Sequence, residues 1–329
     1  METQRDKISL SRVYYTLLED VGMVCKYHRK QYSLLFVGDG SGHLYTVDHY
    51  RHDLAESAQG HLTQRIAPVA KTKIHDSMIY DLEANKSGTQ LFIATSGFRC
   101  FLFDVEKQIV LNEFLGHANS VKNVDICRAN ENLGLSGGKD GKVLLWDFRE
   151  APSRVRPGCT TVLSVEAERI TGCAFLGDEK MVAASRSNSF DCDVFDLRRI
   201  MKFHPRRKRF VEEADRCFLY SINRHSHVEY RLRDIHARIS KLDKQNGRLG
   251  QALRAEYTQL QMQHPDFFSG ASAQQNLVKG LTCLRVYWDQ QRLITNAING
   301  RIDAYDLASL MFEPPIELTG HHVTNPNSK

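Results

Sequence analysis

The chain has little of what most enzyme classes need. Its 329 residues carry no glycine-rich phosphate loop, no metal-ligand spacing and no paired-carboxylate motif. The eight cysteines include no C-x-x-C pair, so a structural zinc site is not expected and buried reduced thiols are the better reading. No apolar run approaches the roughly 20 residues of a membrane span, so no membrane segment is expected. Met1 to Leu10 is charged and lacks an apolar core, so it does not read as a signal peptide. The expected compartment is the nucleus, with the cytoplasm as a second location. Neither a cofactor nor a catalytic activity is expected. Tryptophan is scarce, with only two residues, and one of them marks the most regular feature of the chain.

That feature is a repeat. Gly116-His117 is followed by Trp146-Asp147, a gap of about 30 residues that fits one blade of a WD40 β-propeller. Between the two dipeptides lie a strand-like stretch (Val121 to Cys127), a turn, and a small-residue strand (Leu133 to Gly138). A Lys139-Asp140-Gly141 turn and the alternating strand Lys142 to Phe148 follow. Degenerate copies flank this unit. Ile74-His75 leads to Phe103-Asp104, and Leu34 to Val37 leads through a glycine-rich turn to Leu44–Asp48. Met181 to Ser185 precedes Val194-Phe195-Asp196, and Arg292 to Asn296 precedes Ile302–Asp306. Gly320-His321 reads as the opening of a further copy. The fold class is therefore all-β, a WD40 β-propeller with five recognisable blades. Propellers of this type commonly close with seven, so the five read as an incomplete seven-bladed ring.

The repeat has a physical reason. His117, Ser136, Asp140 and Trp146 are the candidates for a hydrogen-bond network that locks the third blade. A catalytic Ser/His/Asp reading of the same residues is weaker, because their spacing is that of the blade lock. The fourth unit has Ser189 where the turn Asp would sit, and is expected to rely on packing alone.

Two blades end in a further pattern. The third ends Trp146-Asp147-Phe148-Arg149 and the fourth ends Phe195-Asp196-Leu197-Arg198. An Arg two residues past the blade Asp can anchor a protein interface through its planar guanidinium. The plainer reading is a local salt bridge between each Arg and its own Asp. The stretch LSGGKDGKVLLWDFR, Leu135 to Arg149, resembles the box of WD40 substrate receptors of cullin-4 RING ubiquitin ligases. The doubled box, with His75 to Arg149 and weaker likeness at 194–199 and from Leu281 to His321, resembles a divergent, C-terminally truncated member of the denticleless family. That resemblance implies binding to the adaptor, damage-specific DNA-binding protein 1, through Asp147, Arg149, Asp196 and Arg198. It also implies protein substrates such as replication-licensing factors, recognised on the replication sliding clamp. A general WD40 scaffold in a chromatin or RNA-processing complex is the alternative.

The domain reading follows. Residues 1–199 hold blades one to four, 200–279 form a basic and helical insertion, and 280–329 hold a further blade and the start of the next. Ile200 to Leu260 carries 14 Lys or Arg against 7 Asp or Glu, more than the whole net charge of +5. Arg206, Arg207, Lys208 and Arg209 read as a nuclear import signal, a nucleic-acid patch or a solvated loop; direct nucleic-acid binding is not expected. Ser226-x-x-Glu229 reads as a capping box that opens a helix, and Pro265 marks its other end. Leu232, Ile239, Asn246, Leu253 and Leu260 fall on one heptad position, and Ile235, Leu242 and Leu249 on a second. That seam predicts either a dimer through helix 227–263 or one amphipathic helix lying on the propeller side.

Overall fold

The computed structural model describes residues 13–15, 18–48, 50, 63–150, 159–164, 168–199, 217–240, 247–268, 280–287 and 291–318. The chain divides into two compact units, Met1–Ile126 with Phe148–Gly158, and Cys127–Asp147 with Cys159–Lys329.

The first unit opens with β1 (Val13–Tyr15), β2 (Gly22–Tyr27), β3 (Leu34–Asp39) and β4 (His43–Asp48). β5 (Thr63–Arg65) and β6 (Pro68–Lys73) follow. β1 and β5 pair in parallel, and the first blade has the order β2-β3-β4-β6. The second blade runs through β7 (Ile79–Ala84), β8 (Gln90–Thr95), β9 (Arg99–Asp104) and β10 (Ile109–Leu115), each antiparallel to the next. Buried residues of both blades, among them Phe36, Leu44, Ile79, Leu91 and Phe103, form one core. Full burial of such a side chain contributes about 1.5–3 kcal/mol. Gly38 permits the close approach: a Cβ there would lie 2.5 Å from Cγ2 of Ile79.

β11 (Val121–Ile126), β12 (Leu133–Gly138), β13 (Lys142–Asp147) and β14 (Cys159–Ser164) make the third blade. β11 belongs to the first unit and the other three strands to the second. In the second unit, β15 (Ile170–Phe175), β16 (Met181–Arg186), β17 (Cys192–Asp196) and β18 (Phe218–Ile222) form the fourth blade. β19 (Leu281–Tyr287), β20 (Arg292–Ala297), β21 (Ile302–Asp306) and β22 (Ile316–Leu318) form the fifth. The glycine device recurs here: a Cβ at Gly137 would lie 2.6 Å from Cγ2 of Ile170. The described residues thus contain five four-stranded blades, as the repeat spacing implied.

β18 falls inside the stretch read as an insertion and completes the fourth blade, so the helical part begins at Ser226. It contains α1 (Ser226–Ser240), α2 (Gly247–Gln263) and the short α3 (Pro265–Phe268). The single long helix is corrected. In one straight helix Arg231 and Glu256 would stand about 38 Å apart. Instead the Nε of Arg231 lies 4.0 Å from Glu256, and Nη1 of Arg238 lies 3.7 Å from the same carboxylate. The chain turns back on itself. Val228, Ile235 and Leu260 bury together with Leu232, Tyr257, Phe267 and Phe268 around them. The dimer through helix 227–263 is corrected with it. Ile235 and Leu260, two residues of the supposed dimer seam, are consumed within one chain. The hairpin docks on the fifth blade, where the Tyr230 ring meets Phe312 edge-on at 4.7 Å and Arg224 pairs with Glu317 at 3.6 Å.

Two smaller expectations also change. Ser226 Oγ does not close a capping box; it accepts from the Asn223 amide at 2.7 Å, while the His225 carbonyl takes the first helical bond, from Glu229. The fourth blade does not rely on packing alone. Buried Asp193 accepts from Ser221 Oγ at 2.6 Å and pairs with Arg186 Nε at 2.9 Å. The polar lock has moved from the turn to the third strand, where spacing taken from the turn does not look for it.

Candidate protein-docking site

β13 ends on Asp147, and the next residue decides where the chain goes. Phe148 is buried, its ring 5.0 Å from Phe92 and 5.6 Å from Phe114. Its carbonyl accepts from Nδ2 of Asn112 at 3.3 Å. Phe92 and Phe114 themselves meet edge-on at 5.8 Å, an aromatic arrangement that adds to simple burial. With Phe148 fixed, Arg149 emerges on the surface while Asp147 stays half-buried.

The second box sits in the second unit. Asp196 ends β17 and is buried, while the side chain of Arg198 is exposed. Arg198 folds back on it: Nε donates to Oδ1 at 2.9 Å and Nη2 to Oδ2 at 2.8 Å. The Arg198 amide also donates to Oδ1 at 3.0 Å. These bonds hold the Asp196 carboxyl below the usual carboxylate range, against its burial. This is the local salt-bridge geometry. The guanidinium is exposed but the carboxylate is buried, so if Arg198 turned to a partner, the Arg198 amide and the nearby Arg199, whose Nε lies 3.7 Å from Oδ2, would be left to hold Asp196.

Two contacts of the third-blade residues are given by the structure. Trp146 is fully buried and its Nε1 donates to Ser136 Oγ at 2.7 Å. Asp140 accepts from the Lys142 amide at 3.2 Å and so shapes the turn. His117 is buried in the first unit. Arg206, Arg207, Lys208 and Arg209, like Trp288, Gly320-His321 and Asn246, lie outside the described residues.

Sequence reasoning missed other buried polar contacts. Asp81 on β7 accepts from Asn123 Nδ2 at 2.7 Å and from the Val124 amide at 3.1 Å, tying two inner strands together. Glu83 is clamped by Lys26 and Arg29. The available signal was two charged residues, Asp81 and Glu83, inside the strand Ile79–Ala84. The cysteines are all unbridged. Burial pushes the Cys159 thiol up to about 11 and that of Cys192 higher still; only Cys25 is exposed. Among the described residues no group of three or more His, Cys, Asp or Glu has metal-holding geometry, and no helix is long and apolar enough to cross a membrane.

Comparison with known proteins gives the following. The WD domain, G-beta repeat model matches residues 108–147. The human "DDB1- and CUL4-associated factor 5" is 33% identical over 88 residues, 27% of this chain and 9% of that protein. The Drosophila melanogaster "Protein lethal(2)denticleless" is 28% identical over 155 residues, 38% of this chain and 20% of that protein. The Xenopus laevis "Methylosome protein WDR77" is 30% identical over 82 residues, a quarter of each chain. The matched stretch thus spans a quarter or less of each relative's length. Among solved structures, the β-propeller domain of Myceliophteria thermophila Cps50 (Swd1) aligns with a TM-score of 0.54 at 12% identity, over 88% of this chain and 68% of that one. Strand order, repeat and alignment agree that this is a WD40 β-propeller of five described blades, with partial similarity to a DDB1- and CUL4-associated factor and to a denticleless protein.

Proposed function

We propose that the chain is a non-enzymatic substrate receptor that joins a cullin-4 RING ubiquitin ligase through damage-specific DNA-binding protein 1. The carrying observation is the pair of strand-terminal aspartates, Asp147 and Asp196, each followed two residues later by an exposed arginine. Arg149 and Arg198 supply planar donors to the adaptor, and their aspartates orient them. Arg198 exchanges its own Asp for an adaptor acceptor on binding. The 33% identity with a DDB1- and CUL4-associated factor over 88 residues supports the reading. The denticleless likeness makes replication-licensing factors on the sliding clamp the substrate class to test first, and the nucleus the place, with Arg206–Arg209 as the import signal.

A second reading has one observation in its favour. The similarity to the methylosome protein is of the same order over a similar stretch. It favours a general scaffold without a ligase.

Affinity capture of tagged chain separates the two. Wild type is compared with the Arg149→Ala/Arg198→Ala double variant, and bound proteins are identified by mass. The receptor reading expects adaptor and cullin with wild type and neither with the variant. Their absence from the wild-type capture, or equal capture by both, hands the chain to the scaffold reading.

A further inference from the structure

We propose that the α1–α2 hairpin is held on the fifth blade by an acid-sensitive histidine latch, closed while the His227 imidazole is neutral and opened when it takes up a proton. The latch lies wholly within the second unit. A cavity of about 230 Å³ opens where α1 begins, α2 ends and the fifth blade turns. Three imidazoles line it: His225 and His227 at the start of α1, and His264 between α2 and α3. The rings of His227 and His264 meet edge to face at 5.2 Å, and that of His225 lies 5.5 Å from Phe267.

His227 is the centre of the device. Both of its ring nitrogens are shut off from solvent; the Arg224 carbonyl approaches the ring but not in full hydrogen-bonding geometry. A buried polar atom left in this state is unfavourable. An added proton makes it a buried charge, which costs far more. Burial, then the neighbouring His264 and His225, lower its pKa below the ordinary histidine value; the Arg224 carbonyl opposes them and Arg231 adds to them.

Among the described side chains lining the cavity, both carboxylates are already engaged. Asp303 of β21 is held by Arg301, whose Nη2 and Nε lie 2.6 and 2.9 Å from Oδ2. Glu317 of β22 faces Arg224 at 3.6 Å. An imidazolium formed at His227 would meet Arg224 and Arg301 with both carboxylates already engaged. The sign follows. A pKa lower in the docked than in the undocked state means that docking is strongest above the ordinary histidine value, about 6.5. It weakens as pH falls below that value. The surface released is the apolar one that docking covers, Tyr230 against Phe312.

Hydrogen exchange of the α1 and α2 amides, corrected for intrinsic rate, tests this on the full chain at about pH 7.5 and about pH 5.5, either side of the imidazole pKa. Wild type is expected to open at the lower pH, by up to about tenfold for each pH unit through which one proton is taken up. His227→Gln should hold its protection at both. A second pair of variants guards against simple misfolding. Arg224→Gln and Glu317→Gln break the same ion pair between half-exposed side chains but leave opposite charge behind. The latch expects Arg224→Gln to open less than wild type in acid and Glu317→Gln to open more. If both weaken docking equally at the two pH values, or if wild type shows no acid-specific opening, the latch is wrong.

Discussion

The rings of Phe148 and Phe92 lie 5.0 Å apart at 60°, and this contact sets the exit of the first arginine box. It joins a residue flanked by Asp147 and Arg149 to the second strand of the second blade. The backbone from which Arg149 leaves is thus positioned by a hydrophobic neighbour.

Phe148→Ala should therefore cost more than surface truncation at Arg149. Loss of a buried Phe from a packed cluster costs about 3–5 kcal/mol. Urea unfolding measures the loss. Adaptor capture by the folded fraction should fall as well, although both charges of the box remain. Unchanged capture would mean that Arg149 needs no such positioning.

His28 gives the first unit a pH dependence of its own. It is buried, and its Nδ1 accepts from the amides of Lys30 and Gln31 at 3.1 and 2.9 Å. Burial, aided by Lys30, lowers its pKa below the ordinary value, while the Gly88 backbone works the other way. Protonation would turn the acceptor into a donor facing two N–H groups. The folded value lies below the unfolded one, so this contribution is complete above about pH 6.5 and is lost as pH falls through the folded value. The slope of stability against pH there is at most about 1.4 kcal/mol per unit for one proton. His28→Gln should flatten it, and an unaltered slope would assign the acid sensitivity elsewhere.

Phe98 carries backbone strain. It sits in the turn between β8 and β9 with φ of 67°, where the corresponding turns of blades one, three and five place Gly42, Gly141 and Gly300 at φ of 86°, 75° and 83°. A left-handed backbone costs a side-chain-bearing residue about 1–2 kcal/mol. The ring is 47% exposed, so burial returns only part of that. Phe98→Gly should raise the urea midpoint by an amount equivalent to about 1 kcal/mol. A lowered midpoint would show that the ring is held by contacts that outweigh the strain.

Much of the fold is legible in the residues because its signals are local. Strand alternation, a turn glycine and a closing Asp recur within each blade, so Asp48, Asp104, Asp147, Asp196 and Asp306 each mark a strand end or its last residue. The Trp146–Ser136 bond was legible for the same reason, since the two residues lie diagonally across one hairpin, two positions off register. The two Asp-x-Arg boxes were readable as a spacing, but not the way Arg198 folds onto Asp196. A two-residue separation allows that pairing and also allows the arginine to point away.

The amino-acid sequence by itself determined the blades, their turns and the two Asp-x-Arg ends, because these depend on contacts a few residues apart. Only the tertiary structure decided that the helical stretch doubles back, that Ile235 packs within the hairpin and not against a second copy, and that His227 meets His264. It also decided that Asp81 reaches Asn123 and that Phe148 fills the Phe92 cluster. A heptad seam specifies an apolar stripe but not its partner. Which surface covers that stripe depends on long-range packing, and residues 25 to 56 apart leave no periodic trace of the contact they will make.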